Sequence, residues 1–222
     1  LQTLVEVSSM AYLTGLALQA SSAAAKAALM AIAQVETRHE TWSLVENWRR
    51  SPFVGPADTA FPYADQILDV TNAWIEPGSC PAANPEYPFP RQGLPRLSVV
   101  GSSSHNVTSV QPGAEIVLSV QENGDGHSGN SSRVEIFDAG HQYYAVFFHG
   151  LLNVSVPIEF SSSASASASA SFRVTVPADL EARGIFEVVL ADEEGAPRAE
   201  SVVAGPLVLL EDSAGLGLSL LG

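Results

Sequence analysis

Glu36 and His39 stand three residues apart in the run Val35-Glu36-Thr37-Arg38-His39. On a helix that spacing aims a carboxylate and an imidazole along one direction. Helical bundles build carboxylate-bridged two-metal sites from such pairs, with a solitary Glu added from the neighbouring helix. Glu6 is the only acidic residue before Glu36 and shares a helical stripe with Met10, Leu13 and Ala17. In this reading Glu36 bridges two iron or manganese ions, His39 ligates one of them and Glu6 is a terminal ligand. A buried Glu–His pair holding no metal has the same spacing, so residue types alone leave both readings open. A complete site also needs a second helix pair with its own Glu and Glu-x-x-His. No other helical stretch of this sequence supplies one.

Other chemistry is thinner. Acceptor tripeptides for Asn-linked sugar occur at Asn106-Val-Thr108, Asn130-Ser-Ser132 and Asn153-Val-Ser155. Three of them in a chain poor in Cys and Lys predict a secreted glycoprotein. Cys80 is the single cysteine. An odd cysteine in a secreted chain calls for a disulfide partner elsewhere, and a buried free thiol is the alternative. His127, His141 and His149 lack ligand-like spacing and are expected on solvated loops. Tyr143-Tyr144 and Phe147-Phe148 read as core or interface rather than as a sugar platform. No phosphate-binding glycine loop, nucleophile elbow or complete catalytic set is present.

The elements that must position these residues follow from pattern. Residues 1–51 lack proline and are rich in Ala, Leu, Met, Gln and Glu, which are helix formers. A break at Ser21-Ser22 can cap a second helix, expected from Ala23 to Arg50. Its inward face is expected to carry Ala25, Leu29, Ile32, Glu36, His39 and Ser43, with Gln34, Arg38 and Thr41 facing water. Such a hairpin is half of a four-helix bundle and leaves its inner face uncovered. Residues 52–96 hold nine of the fourteen prolines and many aromatics. They are expected to wrap the bundle as ordered irregular chain, with one short helix near Pro62–Val70.

From residue 97 to 222 the apolar period becomes two. Strands are expected at Leu97–Val100, Glu115–Gln121, Arg133–Phe137, Tyr143–Phe148, Val154–Phe160, Phe172–Val176, Ile185–Leu190 and Val202–Leu210. Seven or eight strands over such a length point to an Ig-like β-sandwich. The Ser/Ala alternation over Ser161–Ser171 is either an inter-strand loop, the favoured reading, or the poorly specified start of the strand ending at Val176. The fold class is therefore α+β: a helical hairpin, a proline-rich joint and a sandwich.

Composition bounds the partners. The chain has 222 residues and a net charge of −14, from 24 acidic and 10 basic side chains. That balance excludes nucleic acid, whose phosphates need clustered Lys and Arg. No stretch is long and apolar enough for a membrane span. The opening Leu1, without a basic leader, suggests a processed or incomplete product.

Three segments together resemble one known family. They are Val7-Ser-Ser-Met-Ala-Tyr-Leu-Thr-Gly15, Ala31-Ile-Ala-Gln-Val-Glu36-Thr-Arg-His39 and Ser51-Pro-Phe-Val-Gly-Pro-Ala-Asp58-Thr59. The sequence is similar to secreted ferritin-like proteins of fungi, known as stress-response or sexual-development proteins and related to plant desiccation-related proteins. Ser79-Cys80-Pro81 and Leu94-Pro-Arg-Leu97 match as well, so the resemblance covers about residues 1–97. It implies a bundle of which this chain holds the second half, the first helix pair lying upstream of Leu1 or in another chain, with a partner for Cys80. Glu36 and His39 fall on the family's Glu-x-x-His, and Glu6 falls within one residue of its solitary Glu.

Two functions follow as expectations. One is a non-catalytic extracellular or wall-associated protein, or an accessory subunit of a larger secreted enzyme. The other is a di-iron or di-manganese protein doing oxidative chemistry once another helix pair completes the bundle. Binding of cell-wall polysaccharide by the sandwich is a third reading.

Overall fold

The computed structural model describes residues 2–47, 59–72, 76, 79–84, 93–100, 111–121, 137–138, 140–158, 169–180 and 184–211. The chain is α+β and forms two compact units. Among the described residues three α-helices lie in one, and seven strands and Thr59–Ala60 lie in the other.

Helix α1 spans Gln2–Gln19 and α2 spans Ala23–Glu46. The break between them is chemical: the Ser22 hydroxyl accepts the Ala25 amide at 3.0 Å, satisfying a donor that the first turn cannot bond internally. The two helices pack together, and the Thr37 hydroxyl meets the Met10 sulfur at 3.7 Å. Helix α3, Ala64–Asn72, begins two residues later than the sequence suggests and carries Asp65 in its first turn, where the helix dipole favours a negative charge. It packs on α1 at Gly15. A Cβ there would lie 2.9 Å from the Ala64 backbone nitrogen and 3.0 Å from the Phe61 carbonyl oxygen, so only glycine permits the approach. Phe61 and Tyr63 meet edge to face beside it.

The strand unit has two antiparallel sheets. One contains β1 (Arg96–Val99), β2 (Glu115–Gln121) and β5 (Ser169–Thr175) in the order β1-β2-β5. The other contains β3 (Tyr143–His149), β4 (Leu152–Ile158), β6 (Gly184–Ala191) and β7 (Val202–Glu211) in the order β4-β3-β6-β7. Their facing side chains form one core, in which Leu118 and Phe172 from the first sheet join Phe147, Phe186, Leu190 and Leu209 from the second. Alternation along each strand delivers these residues to one side.

The last three residues of the Ser/Ala run depart from the expected loop, and residues 161–168 lie outside the described residues. Ser169, Ala170 and Ser171 belong to β5, opposite Gln121, Val120 and Ser119 of β2. Pairing uses backbone groups, so a partner strand of sufficient length extends the ladder through side chains that specify little. Likewise β4 starts two residues before the expected Val154, because the tight turn at Gly150-Leu151 keeps His149 paired with Leu152. Residues 133–136, 48–50, Asn106 and Asn130 lie outside the described residues, as does His127.

The second sheet is withdrawn from water on both faces of its central strands. On the side away from the core, Val146, Phe148, Glu187, Val189 and Val208 are all buried. Thr59 and Ala60 lie against its β3–β4 turn: Ala60 N–H donates to the Gly150 carbonyl at 2.8 Å, and Gly150 N–H donates to the Thr59 hydroxyl at 3.2 Å.

Candidate functional site

Helix α2 carries the residues singled out for chemistry. His39 Nδ1 and Glu36 Oε2 lie 3.2 Å apart, one turn from each other on the same face. The imidazole is 55% exposed and the carboxylate 26%. Their convergence needs nothing beyond helical spacing. Glu6 lies on α1; its side chain is outside the described set.

Two stripes run along α2. The one turned toward α1 passes through Leu29, Ala33, Thr37, Glu40 and Ser43, and becomes fully buried at Glu40 and Ser43. The other passes through Ala28, Ile32, Val35, His39 and Trp42, every one exposed. At 3.6 residues per turn the two are roughly a third of a turn apart. The expected inward face thus divides: Ser43 is buried, whereas Ile32 and His39 are open. Thr41, expected to face water, is half-buried. Ile32 is 47% exposed and Trp42 53%, which is unusual for large apolar side chains aligned on one helix.

Sequence reasoning overlooked Glu40, which is 2% exposed on the α1 side of α2. A signal was present, since Glu40 follows Leu29, Ala33 and Glu36 at helical spacing. Gln66 on α3 is also fully buried in this unit, and the Asn47 amide donates to the Ser43 hydroxyl at 3.2 Å near the end of α2.

The strand unit corrects two further expectations. His149 is not on a solvated loop; it is 2% exposed and its ring stacks on Phe186 at 4.1 Å. The even-numbered spacing from Tyr143 places it on the core side, where a flat ring fits between aromatic neighbours. His141 is exposed as expected, its Nε2 2.9 Å from the Asp192 carbonyl. Tyr143 and Phe147 lie in the core. Cys80, for which burial was one alternative, is an exposed free thiol. Asn153 is exposed on β4, with its Nδ2 donating to the Gly195 carbonyl at 3.3 Å.

Among the described residues, a strong electrostatic perturbation falls on a group that the sequence reading did not single out. Glu187 is 1% exposed, and neither carboxylate oxygen has a hydrogen-bond partner among the described residues. Burial pushes its acid constant from 4.5 to about 8, because a charge loses hydration that nothing here replaces. It is a protonated acid at neutral pH.

Among the described residues no three His, Cys, Asp or Glu side chains gather as a metal cage, and no helix is long and apolar enough to cross a membrane. No family model matches the sequence, and no curated protein matches it.

Proposed function

We propose that the protein is a secreted, non-catalytic ferritin-like glycoprotein whose helical hairpin is half of a four-helix bundle, completed by another helix pair. The observation that carries this reading is the open stripe on α2. A helix in a four-helix bundle packs against more than one neighbour, and α2 carries, beside the stripe turned toward α1, a second stripe whose large apolar side chains are exposed. Leaving Ile32, Val35 and Trp42 in water forgoes burial of roughly 1.5–3 kcal/mol for each large side chain. A second helix pair laid along that stripe recovers it. The structural role, or that of an accessory subunit, fits the lack of a complete catalytic set in the sequence. For the strand unit, seven strands divided three and four, with β4 at the edge beside β3, support an Ig-like reading.

Hydroxyl-radical footprinting tests the bundle. Ile32 and Trp42 should label in the 222-residue chain alone and be protected in the native secreted material. Equal labelling in both would remove the basis for a completing helix pair.

A second reading, a di-iron or di-manganese centre, is favoured by the convergence of Glu36 Oε2 and His39 Nδ1. A carboxylate and an imidazole suit either metal, and this hairpin would supply Glu36 and His39, with Glu6 as a further candidate. Bound metal would add oxidative chemistry; the chain's own contribution is to hold those two side chains on one helical face. Native material should then contain iron or manganese, lost on Glu36→Ala plus His39→Ala. Metal-free native material would exclude it.

A further inference from the structure

Among the described residues strand β4 is an edge of its sheet, and its sequence Leu152-Asn-Val-Ser-Val-Pro-Ile158 contains no charged residue. An edge offers unpaired N–H and C=O groups to any passing strand, and proteins guard such edges with charge, proline or bulges. Pro157 guards only the far end. The near end is the reverse of guarded: Leu151 is 93% exposed and Leu152 60%. An apolar tip leading into an uncharged edge favours association with a second copy.

The polar groups available there are Asn153 and Ser155. Two residues apart on a strand, they project to one side, and both engage Gly195 in the β6–β7 connection. The Asn153 amide donates to its carbonyl at 3.3 Å, and its N–H donates to the Ser155 hydroxyl at 2.8 Å. Asn153 is exposed and forms, with Val154 and Ser155, an acceptor tripeptide. We propose that Asn153 bears an Asn-linked oligosaccharide that shields the Leu151–Leu152 tip and the open edge of β4 from a second copy of the chain. This rests on the secretory reading above.

The reaction needs a lipid pyrophosphate-linked oligosaccharide and its transferase as co-reactants. Asn153 Nδ2 forms a C–N bond to the first sugar's anomeric carbon. The bond from that carbon to phosphate oxygen breaks, the lipid pyrophosphate leaves with the electron pair, and one amide proton is released. The substituted nitrogen keeps one N–H, enough to retain the bond to Gly195. A hydrated, branched chain rooted next to Leu152 then occupies the space where another strand would have to approach to about 4.8 Å.

The test is to pass the chain through a eukaryotic secretory pathway and map all three acceptor sites by peptide mass spectrometry. Asn153 should be occupied in the parent and in Ser155→Thr, and empty in Ser155→Ala and Asn153→Gln. Light scattering should show the parent and Ser155→Thr as monomers. Asn153→Gln, and the parent stripped by glycosidase, should associate about tenfold more tightly or more. Adding Leu151→Ser and Leu152→Thr to Asn153→Gln should reverse that association. An empty Asn153 beside an occupied Asn106 or Asn130 overturns this inference alone. Monomers after glycan removal overturn the shielding. Three empty sites overturn the secretory reading with it.

Discussion

Replacing Glu187 gives the sharpest test of how the strand unit is held together. The folded chain keeps this carboxyl protonated up to about pH 8, whereas the unfolded chain releases its proton near 4.5. Below 4.5 the group is neutral in both states and costs nothing through ionisation. Between those values the unfolded state binds fewer protons, so stability falls as pH rises, by about 1.4 kcal/mol per pH unit. Above about 8 both states are ionised and the loss levels off, at about 5 kcal/mol in all. Glu187→Gln preserves shape and removes the titration. Its amide carries a desolvation cost of its own, but that cost does not vary with pH. The measurement is denaturant unfolding of parent and variant across the pH range, followed by far-UV circular dichroism, because all three tryptophans precede residue 75 and report the helical part. Other carboxylates cancel in the difference. The stability of the variant minus that of the parent should climb from about pH 5 to about pH 8 and then flatten. A difference that stays constant over that span would refute the argument that Glu187 is buried unpaired.

Gly15→Ala adds a methyl against the Ala64 backbone, and the strain should exceed the gain in helix propensity, for a net loss of about 1–2 kcal/mol by tryptophan fluorescence. Ser22→Ala removes the hydroxyl that caps α2 and should cost about 1 kcal/mol, while Ser22→Asp should hold most of it. Phe147→Ala opens a void where the two sheets meet; circular dichroism should report a loss of about 3–5 kcal/mol.

Much of the helical unit was legible because its signals are local. Ser22 could cap, the proline-free run could only be helix, and Glu36 and His39 had to converge once it was. Glu115–Gln121 was readable to the residue, since its alternation is bounded by Pro112-Gly113 and by polar chain after Gln121. Sequence spacing grouped Ile32, His39 and Ser43 on one inward face of α2, but not how that face divides: Ser43 is buried in the tertiary structure while Ile32 and Trp42 are open. Glu40 was hidden by the same difficulty.

In the strand unit, alternation by itself places Glu187 opposite the core, on a face that water usually occupies. That face is nevertheless buried in the folded chain, and with it Glu187, whose acidity shifts strongly. The same holds for His149, whose stacking partner Phe186 is far along the chain, and for Ser169–Ser171, which become strand because β2 is there to pair with them. Periodicity is written into neighbouring residues and fixes which side chains share a face. What covers each face is settled by long-range contacts, and burial, acidity and strand order follow from those contacts.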